Sequence, residues 1–260
     1  MVYFRMNINL LYRMALREGE GFGTAYEYMV KRKLLCGLFD RINPRSVLIF
    51  GLPEKYGASM DFILLGQEYG ARITVVDDRE FAIKKFREVM DALGGDKIIT
   101  SDVDVIFIDN LLKYRSDKSY DIALSMEVVQ RFSGENRLEY LEKAVDLADN
   151  VLVFAPNAGN KAHANISGLD TLDLNDFKNM VNRINQKIKI IDTGYIDMPP
   201  FFPGLKVSKN KKENFIVGVT GRLLLCVLRV WYFLEFLAPV PIKRRLSHIA
   251  YVVLKIPTAK

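Results

Sequence analysis

Five short apolar runs, each stopping at a glycine, an acid, an amide or a proline, constrain this chain more than any other feature. They are SVLIFG at 46–51, RITVVD at 72–77, Val103–Ile108 ahead of Asp109, YDIALSM at 120–126, and NVLVFA at 150–155 ahead of Pro156. The runs are continuous rather than alternating, as expected of strands buried on both faces. Between them lie helical stretches at Met60–Glu68, Arg79–Leu93 and Glu135–Leu147, the first two closed by Gly70 and by Gly94-Gly95. Strands that alternate with helices in this way form a parallel sheet covered on both faces, an α/β fold.

The flanks read differently. Residues 6–40 carry helical spacing, interrupted by Gly-Glu-Gly-Phe-Gly at 19–23. Thr24 followed by Glu27 forms a capping-box pattern for a second helix, and Pro44 closes this part. A further helix is expected at Asp173–Arg183. Beyond it come a strand at Ile188–Ile196, a Pro-rich turn at Met198–Gly204, a lysine cluster, a long apolar segment and a last strand at His248–Ile256. The chain therefore divides into N-terminal helices (1–44), a sheet core (45–200) and a basic, apolar helical insertion with the final strand (201–260).

In an open parallel sheet, ligands bind beyond the carboxyl ends of the strands. The residues there are Gly51-Leu-Pro-Glu-Lys-Tyr-Gly57, Asp77 and Asp78, Asp109 and Asn110, Ser125 to Glu127, and Pro156 to Asn160. A glycine at a strand–helix turn permits close approach of a ligand. An acid ending the next strand can accept from two ribose hydroxyls, and an acid ending the third can accept from an adenine amino group. Each acid alone could equally cap a helix; a glycine and two acids at three successive strand ends describe an adenosine site.

VLIFG at 47–51, ITVVDD at 73–78, Asp109-Asn110, YDIALSMEVVQRF at 120–132 and VLVFAPNAGNKAH at 151–163 together resemble the class I S-adenosylmethionine-dependent methyltransferases. The resemblance implies a Rossmann-like, seven-stranded, mostly parallel sheet whose last strand runs antiparallel between the fifth and sixth. It implies S-adenosylmethionine as cofactor, with Gly51 under the methionine part, Asp77 and neighbouring Asp78 on the ribose, Asp109 with Asn110 at the adenine, and Ser125 and Met126 lining the pocket near the sulfonium. Two departures stand out. Only one of the family's alternating glycines is present before Pro53, and Gln130-Arg131 occupies the place where related enzymes often carry Glu-His.

Methyl transfer from a sulfonium requires mainly orientation. His163, on the loop after the fifth strand, is the candidate base if the acceptor must lose a proton. Asn157 and Asn160 on the same loop read as turn formers. Tyr26 and Glu27, after the glycine-rich break, could close over the cofactor's carboxylate end. Two cysteines, Cys36 and Cys226, make no disulfide framework, and two histidines without partners at ligand spacing leave no metal site. The N-terminus has no signal-peptide pattern, which points to the cytoplasm.

The net charge of +6 is concentrated: residues 206–260 hold 11 Lys+Arg against 2 Asp+Glu, and the rest of the chain 26 against 29. The segment Phe215–Leu237 is long enough to span a bilayer. However, the strands on either side of it are expected to belong to one sheet, and on that fold a single span is excluded. Its basic flanks, Lys206 to Lys212 and Lys243 to Arg245, match a surface helix on anionic lipid. A lid or a homodimer contact is favoured over peripheral membrane contact through 206–245, and nucleic acid ranks last because the aromatics sit among aliphatic residues. The functional expectation is methyl transfer to a small-molecule or lipid-like acceptor. The alternative is a catalytically inactive module of the same fold, kept open by the reshaped Gly51–Gly57 loop. A nicotinamide-dependent oxidoreductase is disfavoured by the missing GxGxxG.

Overall fold

The computed structural model describes residues 7–55, 57–117, 119–184, 187–200 and 214–257, with side chains described from residue 223 onward in the last segment. The lysines at 206, 209, 211 and 212 lie outside the described residues.

Two helices open the chain, α1 (Ile8–Arg17) and α2 (Phe22–Ile42). Asn7 caps α1 by accepting from the Asn9 and Leu10 amides. The capping box at Thr24 does not set the start of α2. Phe22 stacks on Tyr12 with ring centroids 4.3 Å apart, and this contact draws the helix start back to Gly21.

The alternating core follows as β1 (Ser46–Phe50), α3 (Met60–Glu68), β2 (Arg72–Asp77), α4 (Glu80–Gly95), β3 (Val103–Phe107), β4 (Ile122–Met126), α5 (Gly134–Leu147) and β5 (Asn150–Pro156). Single 3-10 turns occupy Leu111–Lys113 and Val129–Arg131. Then come α6 (Lys161–Ser167), α7 (Leu174–Ile184), β6 (Lys189–Ile196), α8 (Asn214–Leu237), α9 (Val240–Leu246) and β7 (Ile249–Lys255). Helix α6 was not anticipated. It is a short turn made by Asn160, whose side chain accepts from the His163 amide, and it ends at left-handed Gly168.

The seven strands form one sheet in the order β3-β2-β1-β4-β5-β7-β6. All pairings are parallel except those of β7, which runs antiparallel to both β5 and β6. This is the seven-stranded arrangement implied by the resemblance. Because β6 and β7 share seven register pairs in one sheet, the intervening α8 stays on one side of the fold. Among the described residues no helix is long and apolar enough to cross a membrane.

Alternation along the strands splits the core in two. On one face Val47, Ile49, Val75, Leu124 and Phe154 pack against α1 to α4 and the inner side of α8. On the other, Leu48, Phe50, Val76, Ala123 and Val153 pack against α5 and α7. The C-terminal ends of β1, β2, β4, β5 and β6 and the start of β7 lie along one edge, and most of the chain's buried polar groups gather there.

Gly51 turns the chain out of β1 at φ +85°, and a Cβ there would stand 2.6 Å from a Val128 methyl. Left-handed backbone and this contact both exclude a side chain. Gly51→Ala is expected to destabilise the fold by about 2–4 kcal/mol, measured by urea unfolding. An unchanged midpoint would mean that the turn relaxes freely.

Candidate active site

At the end of β2, Asp77 is fully buried. One oxygen accepts from the Leu52 amide at 2.6 Å, which ties the loop after β1 to β2. The other accepts from the Arg79 amide at 2.8 Å and from Arg79 Nε at 2.9 Å. Arg131, on the 3-10 turn after β4, donates to Asp77 at 3.2 Å and also binds Asp78. The acid expected on a ribose is thus held by backbone and two guanidinium groups.

The structure brings some of the expected residues together and separates others. Gly51, Asp77 and Asp78 meet at the ends of β1 and β2. Asp109 is exposed beyond the end of β3. Asn110 accepts from the Leu112 amide and caps the adjoining turn. Met126 is buried in the core facing α1 to α4. Ser125 points to the opposite face, where its hydroxyl is hydrogen-bonded at 2.7 Å to Tyr140, which itself donates to the Phe50 carbonyl at 2.6 Å. Asn157 and Asn160 clamp the loop after β5 onto the segment before β7, donating to the carbonyls of Arg244, Ser247 and Leu246.

A second cluster at the same edge was only partly visible in the sequence. Glu127, directly after β4, is 4 % exposed, adopts φ +52°, and has an Oε2 without a hydrogen-bond partner. Asp197, directly after β6, is 4 % exposed, adopts φ +66°, and has a partnerless Oδ1. Ser59, at the start of α3, repeats the pattern with φ +55° and a partnerless Oγ. Left-handed backbone at non-glycine residues is costly and concentrates at functional sites. Three of the five such residues among the described ones are these.

Other groups complete the cluster. Asp197 accepts or shares a proton with His248 Nδ1 at 2.9 Å, and His163 stacks on His248 with centroids 4.0 Å apart. His163 Nδ1 has no partner. From α2, Lys31 is fully buried between Glu27 at 2.7 Å and Asp61 at 3.2 Å. Tyr26 donates to Glu235 of α8, which also accepts from the Met198 amide. Gln130 donates to Glu54 at 3.2 Å.

Burial governs the protonation of this cluster. It pushes Glu127 up to about 8, with nearby Glu27 adding to the effect and Lys31 opposing it. It pushes Asp197 to about 6 against the pull of His248. Burial lowers His163 to about 4, helped by the charges of His248 and Lys55. For His248 burial acts downward, but the Asp197 charge and hydrogen bond prevail and raise it. Glu18, bonded to Tyr28 and the Ala58 amide, is also raised by burial to about 8, and Asp61 to about 6.

These shifts carry a stability signature. Four carboxyls keep protons in the folded state that the unfolded chain releases in the ordinary carboxylate range. Their contribution is complete at low pH and is lost as pH rises through 6 and then 8. His163, held neutral, acts oppositely and only below its ordinary value. The melting temperature is therefore expected to fall from pH 5 to pH 9, by the equivalent of about a few kcal/mol. A flat profile in thermal unfolding would contradict the burial of Glu18 and Glu127.

Among the described residues, no three His, Cys, Asp or Glu side chains are grouped to hold a metal ion. No family model matches the chain, and no curated protein does. Solved structures do. The plantazolicin methyltransferase BpumL in complex with SAH aligns at TM-score 0.53 and 15 % identity, over 98 % of this chain and 92 % of that one. Magnesium protoporphyrin IX methyltransferase from Synechocystis PCC 6803 with bound SAH aligns at TM-score 0.51 and 10 % identity, over 99 % and 89 %. The [4+2]-cyclase SpnF aligns at 0.52 and 12 % identity, over 86 % and 82 %, so the same architecture serves more than one chemistry. At these identities the likeness establishes architecture, and with its strand order this chain has the fold of the class I S-adenosylmethionine-dependent methyltransferases.

Proposed function

We propose that the chain is an S-adenosylmethionine-dependent methyltransferase acting on a small-molecule or lipid-like acceptor. The observation that carries this reading is the set of buried, partnerless acceptors on strained backbone, Glu127 and Asp197, on the same sheet edge as the Gly51 turn and Asp77. Buried polar atoms without partners are rare in native proteins and call for a ligand or water.

The residues fit the cofactor as follows. Asp77 and Asp78 would hold the ribose, with its hydroxyls replacing the Arg131 guanidinium as donors to the same carboxylates. The Gly51 turn would lie under the methionine part, and Asp109 with Asn110 would meet the adenine. Met126 and Ser125 belong to the strand beneath the reacting centre, Ser125 acting through Tyr140 rather than by contact. When bound, S-adenosylmethionine supplies a methyl group already activated on a sulfonium.

The remaining work falls to the polar cluster. Glu127, raised by burial to about 8, can in its carboxylate form take the proton an amine or hydroxyl acceptor loses. His163 stays neutral at pH 7 and offers Nδ1 as an acceptor to orient the substrate. Asp197 holds His248 in place under that ring.

The test is incubation of the full chain with methyl-labelled S-adenosylmethionine and either a lipid extract or a panel of small amines and phenols. Label transfer by the wild type, absent in Asp77→Asn, supports the proposal. Cofactor binding without turnover of any acceptor would favour the alternative of a binding module, for which the Arg131 plug on Asp77 is the specific evidence.

A further inference from the structure

The outer side of α8 and α9 is apolar where a globular surface is ordinarily polar. The inner face of α8 is laid down by Leu225, Leu228, Tyr232 and Glu235, all buried. Opposite them, Leu223, Val230, Phe233 and Leu237 are 62–75 % exposed, and Val240 and Leu246 of α9 continue the face at 66 % and 53 %. Cys226 is exposed on this same side. A contiguous patch of this extent marks an interaction surface.

Charge identifies what covers it. From residue 214 to 247 the single acid is Glu235, and it is turned inward onto Tyr26 and Met198. The exposed charges on the two helices are cations, Arg229 on α8 and Arg244 and Arg245 on α9, with Arg244 also 3.8 Å from Asp173. Beside α9 lies an open groove of about 770 Å³ that combines Lys161, Arg244 and Arg245 with apolar Val240 and Ile242. A self-association of this face would oppose like charges, since its exposed charged side chains among the described residues are Arg229, Arg244 and Arg245. An anionic bilayer meets both requirements, taking the aromatic and aliphatic side chains between its acyl chains and placing lipid phosphates against the cations.

We infer that α8 and α9 form an in-plane docking surface for anionic membrane, with a lipid phosphate seated in the Lys161–Arg244–Arg245 groove. The inference is independent of the methyltransferase reading, because it uses none of the strand-end residues. The two sites are nevertheless neighbours in the chain. The loop after β5 supplies Gly159 to the groove, and helix α6, which follows it directly, supplies His163 to the polar cluster, so a lipid-borne acceptor would have a short path between them.

Flotation of the full chain with phosphatidylcholine vesicles, with and without phosphatidylserine, tests it. Binding is expected to the anionic vesicles, to fall with added salt, and to be weak on phosphatidylcholine alone. The double variant V230E/F233E alters only exposed side chains and should reduce binding at least tenfold while leaving the melting temperature unchanged. Arg229→Gln and Arg245→Gln should each weaken it about fivefold. Absence of binding to anionic vesicles, or equal binding to neutral ones, overturns the inference. Sedimentation equilibrium provides the other decisive outcome: a dimer dissolved by V230E/F233E would assign the face to a second copy of the chain instead.

Discussion

Arg131→Gln is expected to bind S-adenosylmethionine and its demethylated product more tightly than the wild type, by roughly tenfold. Removal of a cation usually weakens a site for an anionic or polar ligand; here the sign is reversed. In the structure Arg131 donates to Asp77 at 3.2 Å and also binds Asp78, the two carboxylates proposed for the ribose. Cofactor entry must break those bonds, and a charge-assisted hydrogen bond contributes about 1.5–3 kcal/mol. The Arg131 side chain is 12 % exposed, so solvent screening removes only part of that value. Glutamine keeps a polar group at the turn without the charge. Asp77 retains the Leu52 amide and Arg79, so the variant should fold. Calorimetric titration decides the matter. Equal or weaker affinity in Arg131→Gln would mean that Arg131 contributes to the site rather than closing it.

The second large effect is expected at Glu127. Glu127→Gln should lower kcat by about 10²–10⁴-fold, the range for loss of a general base, while cofactor affinity changes little. The pH profile separates catalysis from structure. With Glu127 raised to about 8, the fraction of carboxylate grows as pH rises through that value. The wild-type rate should therefore climb toward pH 8, and the Gln variant should lose that climb. The substitution is nearly isosteric and removes a buried ionisable group, so stability should be kept or increased. A Gln variant with unchanged rate and the same pH profile would reduce Glu127 to a structural residue.

Much of the fold was legible because buried parallel strands have a local signature. The five apolar runs became β1 to β5 almost at the expected bounds, although β3, at the sheet edge, is largely exposed rather than buried on both faces, and the change of rhythm after residue 187 became the antiparallel pair β6 and β7. The edge proposed for the cofactor was legible to the level of the backbone: Gly51 does adopt a left-handed turn, and Asp77 does end β2, bonded to the amide of Leu52 just after it. Strand alternation already carried one further point, that Ser125 and Met126 must face opposite sides of the sheet.

What could not be read was tertiary. Gln130-Arg131 stood out as a departure from the expected pair, but nothing local says that Arg131 reaches across 54 residues to Asp77 or 53 to Asp78. Asp197 and His248 are 51 residues apart and meet only because β6 and β7 pair. Glu235 lies in an apolar helix, and its inward aim follows from Tyr26 on α2, 209 residues earlier. For Glu127 the sequence signal was position, since it follows a buried strand at the edge where ligands bind; His163, Tyr26 and Glu27 were flagged by theirs.

The central claim is that the Gly51–Asp77 edge is a cofactor site and not merely a relic of the fold. Isothermal titration of the wild-type chain with S-adenosylmethionine tests this most directly. Saturable heat with one site per chain, strongly reduced in an Asp77→Asn variant that still unfolds cooperatively, is the predicted result. No heat at millimolar ligand, in the wild type and in Arg131→Gln alike, would contradict it.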